Sequence, residues 1–287
     1  MTEQLQIDFD KINKSSDVSE KDLEFKKKYL KKFLEKGFPN KRQENWKFID
    51  IDQIIKKNIG ELSFFNDYSL PNKIDSSIFV DGLEHNKIIF INGRIEKIDF
   101  NYEDKNKIEI NDEIQKRVLF DSENSLIDLN NAFTNKTFKV VIKENYSFKK
   151  PLVIYHVANE KIKSKSINLR LDFELEQNSS LRLIDFFADN GNKNFTNILY
   201  NFNLKKDSIL KNYKIDKFKN DNLKYSFNNI EQETNSVSET FIFSAGSNYF
   251  KNEINCNLKG EYSSAFVNGI FSLKENQQHE IRTTINH

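Results

Sequence analysis

The sequence predicts a mainly β protein, a parallel β-helix (β-solenoid) preceded by a small helical N-terminal domain. Three observations carry the expectation. From Pro151 to His287 the chain is a succession of short alternating strands with no helical pattern between them. The connections are polar stretches such as Glu176-Gln-Asn-Ser-Ser180 rather than two-residue Asn-Gly or Asp-Gly hairpins. In a solenoid each strand pairs in parallel with one a full coil away, so no tight hairpin is needed. Ahead of this region, the apolar spacing is helical. No strict repeat motif is visible, and a jelly-roll sandwich is the competing architecture.

Along the chain, residues 1–16 read as a loose polar arm. A helix begins near Ser19, with Asp22 three residues on as a partial capping box. Leu23, Phe25, Tyr29, Leu30, Phe33 and Leu34 give it an apolar stripe, and Gly37 followed by Pro39 stops it. A second short helix follows Asp50 through Ile51, Ile54 and Ile55. Residues 60–78 read as loop. Ile88–Ile91, Asn92-Gly93 and Arg94–Ile98 form the best hairpin signal, because Asn-Gly favours the type I′ turn. A further helix is expected within 121–133. The unit boundary is placed at 135, with an N-terminal helical domain carrying the hairpin over 1–135 and the β-helix over 136–287.

Strands open at Phe138–Ile142 and Pro151–Tyr155. In Ser166–Leu175, Ile167, Leu169, Leu171, Phe173 and Leu175 point one way and Asn168, Arg170, Asp172 and Glu174 the other. Further strands are expected at 181–187, 195–204, 209–215, 223–230, 237–243, 250–258 and 266–273, and from 281 to the end.

Composition narrows the function classes. Lys and Arg number 44 against 43 Asp and Glu, a net charge of +1, so no global field draws in nucleic acid or an anionic membrane. The basic run Lys26-Lys-Lys28 with Lys31 and Lys32 alternates with apolar residues, as on a solvated helix face. A single cysteine excludes an intrachain disulfide and suits a reducing compartment. The polar N-terminus lacks a signal-peptide core, and no apolar run approaches the roughly 20 residues of a membrane span. A cytoplasmic location is expected.

The residues alone announce no reaction. The histidines are His85, His156, His279 and His287, with no metal-ligand pairing to a cysteine. Cys256 alternates with Ile254 and Leu258 and so faces the core. His279 and His287 share a strand face and, with Cys256, are the soft-ligand candidates, although a structural role fits all three. Asp172 and Glu174 form a candidate acid pair for a carbohydrate-active β-helix enzyme, but charges on a solvated face are the ordinary explanation for them. A plain β-solenoid interaction module is the third reading.

One group of words has a specific resemblance. Gly37-Phe-Pro39, Arg42-x-Glu44-x-Trp46-Lys47-Phe48, Asn92-Gly93, Asn131-Ala-Phe133, Pro151-Leu152, Leu258-x-Gly260, Gly269, Gln278-His279 and Thr284-x-x-His287 follow in order through the chain. They resemble the SufB/SufD family, on its SufD side: non-ATPase scaffold components of Suf iron–sulfur cluster assembly. Glu280 stands where the family usually has Asp. The resemblance implies a right-handed parallel β-helix, no catalysis in this chain, and no cofactor held by it, an iron–sulfur cluster being assembled on the complex. It implies two partners, a SufB-like paralogue met at the β-helix end and a SufC-like ATPase. Arg42, Glu44, Trp46 and Lys47 are expected to fix a turn between the helices and the next layer. Family members run on past the position of His287, through further coils with a His-Gly-Ala-Thr word and a helical segment that contacts the ATPase. The expectation is therefore a chain truncated at its C-terminus, its last coil edge awaiting a continuation or a partner strand.

Overall fold

The computed structural model describes residues 2–14, 18–64, 78–113, 123–134, 136–158, 162–187, 193–217 and 222–287. Part of the 60–78 loop and the start of the 121–133 segment lie outside these residues.

Two seven-stranded sheets face each other. Their strands are β1 (Asn86–Ile91), β2 (Arg94–Asp99), β3 (Ile108–Glu113), β4 (Thr137–Ile142), β5 (Leu152–Val157), β6 (Ser166–Leu175), β7 (Ser180–Phe187), β8 (Phe195–Leu204), β9 (Ile209–Lys217), β10 (Leu223–Gln232), β11 (Val237–Ala245), β12 (Tyr249–Leu258), β13 (Ser264–Ser272) and β14 (Gln278–Asn286). One sheet runs β13-β11-β9-β7-β5-β1-β2, the other β14-β12-β10-β8-β6-β4-β3. From β4 onward the strands pair with one another in parallel: Ser166 pairs Phe195, Phe195 pairs Leu223, Leu223 pairs Tyr249 and Tyr249 pairs Gln278. Successive strands thus alternate between sheets and return a coil later, a β-solenoid of about five turns. Parallel ladders rule out the antiparallel jelly roll. The predicted hairpin is β1–β2, antiparallel, and β1 also pairs in parallel with β5, so the hairpin sits within the solenoid's own sheet. Strand β3, antiparallel to β4, was not foreseen.

The coils do carry a repeat, at their corners. Asn178, Asp207, Asn235 and Tyr262 each sit at positive φ, from 56° to 61°. The next residue is serine each time, and Ser179, Ser208, Ser236 and Ser263 donate back to the carbonyls of Glu176, Lys205, Glu233 and Gly260 at 2.6–2.7 Å. Corners also bond coil to coil, with the Asn178 amide N–H donating to the Lys206 carbonyl and that of Asp207 to the Thr234 carbonyl, each at 3.0 Å. Asn and Asp tolerate the left-handed conformation, which explains their place in the polar connections. Gly260 is needed for close approach: a Cβ there would lie 1.9 Å from the Thr234 backbone nitrogen.

Helices α1 (Thr2–Lys14), α2 (Glu20–Lys36), α3 (Ile51–Asn58) and α4 (Ser125–Phe133) form the helical part. Ser19 caps α2 through Asp22, and Asp50 caps α3 through Gln53, as the sequence indicated. The N-terminal arm is a correction: residues 2–14 are helical. Leu5, Phe9 and Ile12, spaced i, i+4, i+7, are buried, and the buried Asp8 accepts from the Phe64 backbone N–H at 2.8 Å. Polar neighbours masked that stripe.

The helical part packs on the outer face of the β8-β10-β12 sheet, where Phe195, Leu223, Tyr225 and Tyr249 join Phe33, Phe38 and Trp46 in one core. A second core fills the space between the sheets. The polar face of β6 is a further correction. It does not face water; Arg170 and Asp172 are 1% and 5% exposed. Helix α4 covers them, with Asn131 accepting from Arg170 at 3.1 Å and Asn130 donating to the Leu169 and Asn197 carbonyls. Burial pushes the Asp172 carboxyl up, against the pull of Arg170.

Candidate functional site: the solenoid lumen and the Trp46 clamp

The period of two sends alternate side chains of every strand into the lumen. In β7, Leu181, Leu183, Asp185 and Phe187 share that face; in β9, Leu210, Asn212, Lys214 and Asp216 do. Asp185 and Lys214 are register partners on neighbouring strands. From the opposite sheet come Tyr200 of β8 and Lys224 of β10, and from β5 comes His156. All are buried, none above 6% exposed.

Asp185 collects three donors: His156 Nε2 at 2.7 Å, Tyr200 Oη at 2.5 Å and Lys214 Nζ at 2.8 Å. Burial alone would raise this carboxyl; Lys214, then His156 and Lys224, outweigh it and hold Asp185 well below the usual carboxylate range. Lys224 Nζ donates to Asp216 and lies 3.2 Å from the centre of the Phe187 ring. Burial lowers Lys224 to about 8 and raises Asp216, each against its partner's attraction. His156 is lowered by burial in spite of Asp185, and Tyr200 is raised well above its usual value by burial and then by Asp185. The network therefore sets two carboxyl groups against two amines around an imidazole, linking five strands in a region without solvent access.

The sequence reading missed these residues because it assigned polar positions outward by default. The signal was present: Asp185 is in phase with Leu181, Leu183 and Phe187, and Lys214 with Leu210.

The structure does not unite Cys256, His279 and His287. Cys256 pairs with Ile285 and Phe250 with His279, so six strand residues, about 20 Å, separate the thiol from the imidazole. Cys256 faces the core as expected, fully buried, with burial pushing its thiol up to about 11. His279 bonds Ser244 Oγ at 2.9 Å through Nδ1 and the Ser247 carbonyl at 2.8 Å through Nε2, and burial lowers its pKa. His287 is exposed. Among the described residues no group of three or more His, Cys, Asp or Glu side chains is placed to hold a metal ion. Asp172 and Glu174 are each paired with a cation, Asp172 with Arg170 at 3.4 Å and Glu174 with Lys139 at 2.7 Å.

The Arg42-x-Glu44-x-Trp46-Lys47 word forms a 3₁₀ turn, Glu44–Trp46. Trp46 is 2% exposed. Its ring lies 5.9 Å from that of Tyr225, and Lys251 Nζ sits 4.1 Å from its centre. That ammonium also donates to the Asn45 carbonyl at 2.8 Å and to Glu280 at 2.7 Å. One buried lysine of β12 thus holds the turn, the indole and β14 together. Arg42 and Glu44 line a groove of about 720 Å³ whose floor includes Asn229, Asn255 and Glu253. Lys47 is exposed and pairs with Glu44 at 3.3 Å. Asn229, Asn255, Asn257 and Asn286 form an amide ladder across this face, with bonds of 2.7–3.1 Å. No helix among the described residues is long and apolar enough to cross a membrane.

Residues 156–287, from the lumen histidine to the last strand, match the family model for the SUF system FeS cluster assembly SufBD core domain. The chain is also similar to the iron-sulfur cluster assembly protein SufD of Escherichia coli (strain K12), 21% identical over 273 residues, which cover 90% of this chain and 61% of that protein. The chain thus spans about three fifths of that relative's length. The parallel ladders and the match cover the same stretch: residues 156–287 are similar to the SufBD core domain, and the chain as a whole is SufD-like in sequence.

Proposed function

We propose that the chain acts in iron–sulfur cluster assembly as a non-enzymatic scaffold subunit, pairing with a SufB-like paralogue at the β-helix end and working with a SufC-like ATPase in the cytoplasm. The observation that carries the reading is the coincidence of the SufBD core match with the parallel β-helix over residues 156–287. Two features support a scaffold role. The lumen's charged groups are fully enclosed, which suits holding the coils in register rather than turning over a substrate. The Trp46 clamp ties the helical part to β12 and β14, so the two parts can move as a unit. In this reading the iron–sulfur cluster is cargo built on the assembled complex, and ATP hydrolysis in the partner reshapes the pair.

The test is genetic replacement. A host depleted of its own SufD and dependent on the Suf system receives the gene containing this chain, and the activity of an iron–sulfur enzyme is measured. Restored activity is expected. Unchanged deficiency, with the protein present and folded, overturns the reading.

A further inference from the structure

His156 is held more specifically than packing requires. Its ring lies between two phenylalanines, 5.5 Å and 10° from parallel to Phe90, and 4.1 Å and 7° to Phe187. Nε2 is engaged by Asp185 at 2.7 Å. An ionised carboxylate accepts only, so Nε2 carries the proton and a neutral ring leaves its lone pair on Nδ1. Nδ1 is buried and has no hydrogen-bond partner among the described residues. A buried polar nitrogen without a partner is costly, on the order of 1–3 kcal/mol.

The His156 residue lines a small, half-open pocket with about 20 Å³ of room for water centres. Its walls include Phe90, Gly93, Ile167, Leu169, Phe187 and Thr196 as well as His156. Asp185, Tyr200 and Lys214, which surround Nε2, are not among them, so the pocket lies away from the Nε2 edge of the ring. Gly93 is part of the reason that space exists: it sits at φ +85°, and a Cβ on it would come within 3.0 Å of Ile167 Cγ2. A bound water needs at least two polar partners, and the pocket has room to admit one.

We propose that this cavity is a binding site for one internal water molecule, which donates to His156 Nδ1 and is shared with the Thr196 hydroxyl. The water completes the chain of bonds from Asp185 through the imidazole to the seam between β5, β8 and the β1–β2 hairpin. It gives Gly93 a role beyond its turn, since a side chain there would compete for the same volume.

The test uses the full chain in three forms: unaltered, Thr196→Val and His156→Phe. High-resolution crystallography of each is combined with imidazole ¹⁵N spectra of the first two. In the unaltered chain an ordered water is expected within about 3.2 Å of Nδ1, together with a ring protonated at Nε2 alone. Thr196→Val, which keeps the imidazole, is expected to weaken the water density and shift the Nδ1 resonance. His156→Phe removes the site. An unaltered chain with no density at Nδ1, with a proton on Nδ1, or with a Nδ1 resonance indifferent to Thr196→Val overturns the assignment. Should His156→Phe not fold, the unaltered chain and Thr196→Val decide alone.

Discussion

Replacing Asp185 with Asn should be among the most destabilising single changes available. The side chain is completely buried and gathers bonds from His156, Tyr200 and Lys214 at 2.5–2.8 Å. The amide keeps the shape but carries no charge, leaving the 1%-exposed Lys214 ammonium facing a dipole. At an effective dielectric near 20, the lost attraction at 2.8 Å is about 6 kcal/mol gross. Relaxation and the smaller desolvation cost of an amide reduce this, and removal of one partner of a buried pair typically costs about 3–5 kcal/mol net. Asp185→Asn is therefore expected to lose about that much in urea unfolding followed by circular dichroism. Adding Lys214→Met removes the stranded charge and should recover at least about 2 kcal/mol. A loss below about 1 kcal/mol, or a double variant no better than the sum of the single ones, refutes the charge argument. The pH dependence follows with its sign. Asp185 is depressed in the folded state, so its stabilisation is complete above the unfolded value near pH 4 and is lost as pH falls further. Asp185→Asn should flatten that acid limb.

Four further outcomes are expected. Lys224 is lowered to about 8, so the unfolded state binds more protons above that pH and stability should rise from pH 8 to 9 by up to about 1.4 kcal/mol relative to Lys224→Met; parallel profiles for the two proteins contradict it. The Cys256 thiol, buried and raised to about 11, should be unreactive toward a disulfide reagent at neutral pH until urea unfolds the chain; immediate labelling contradicts its placement. Trp46→Ala should cost about 3–5 kcal/mol, and the single tryptophan should emit in the blue until unfolding; a red-shifted native emission contradicts its burial. Tyr262 is 82% exposed at φ 61°, a conformation Asn adopts more readily, so Tyr262→Asn should stabilise by about 1 kcal/mol in thermal melts; a loss means the ring has an unrecognised contact.

The strands were legible because apolar alternation is local: the 166–175 and 195–204 segments have the bounds the pattern suggests. The parallel arrangement was legible through the connections, since the polar stretches lacked two-residue hairpins. The corner repeat escaped notice because only two adjacent positions recur, and Tyr262 replaces the usual Asn or Asp. The burial of Arg170 and Asp172 was not readable from β6, because the covering side chains, such as Asn131, come from a helix some forty residues earlier. The Asp185 network was hidden differently. Asp185, Lys214 and Lys224 sit at inward phases, but each is unfavourable there until other strands supply its partners: Lys214 lies 29 residues beyond Asp185, and Asp216 lies 8 residues before Lys224 on the preceding strand. Cys256 was placed correctly by phase alone, and the distance that separates it from His279 needed the register.

The proposed role of this solenoid is that of a scaffold in iron–sulfur cluster assembly. Affinity capture of the tagged protein, co-expressed with the SufB-like and SufC-like proteins of its own source, tests that claim most directly. A stable complex in fixed stoichiometry by size-exclusion chromatography with light scattering is the predicted result. A folded protein that elutes alone at every concentration, with both candidates present, contradicts it.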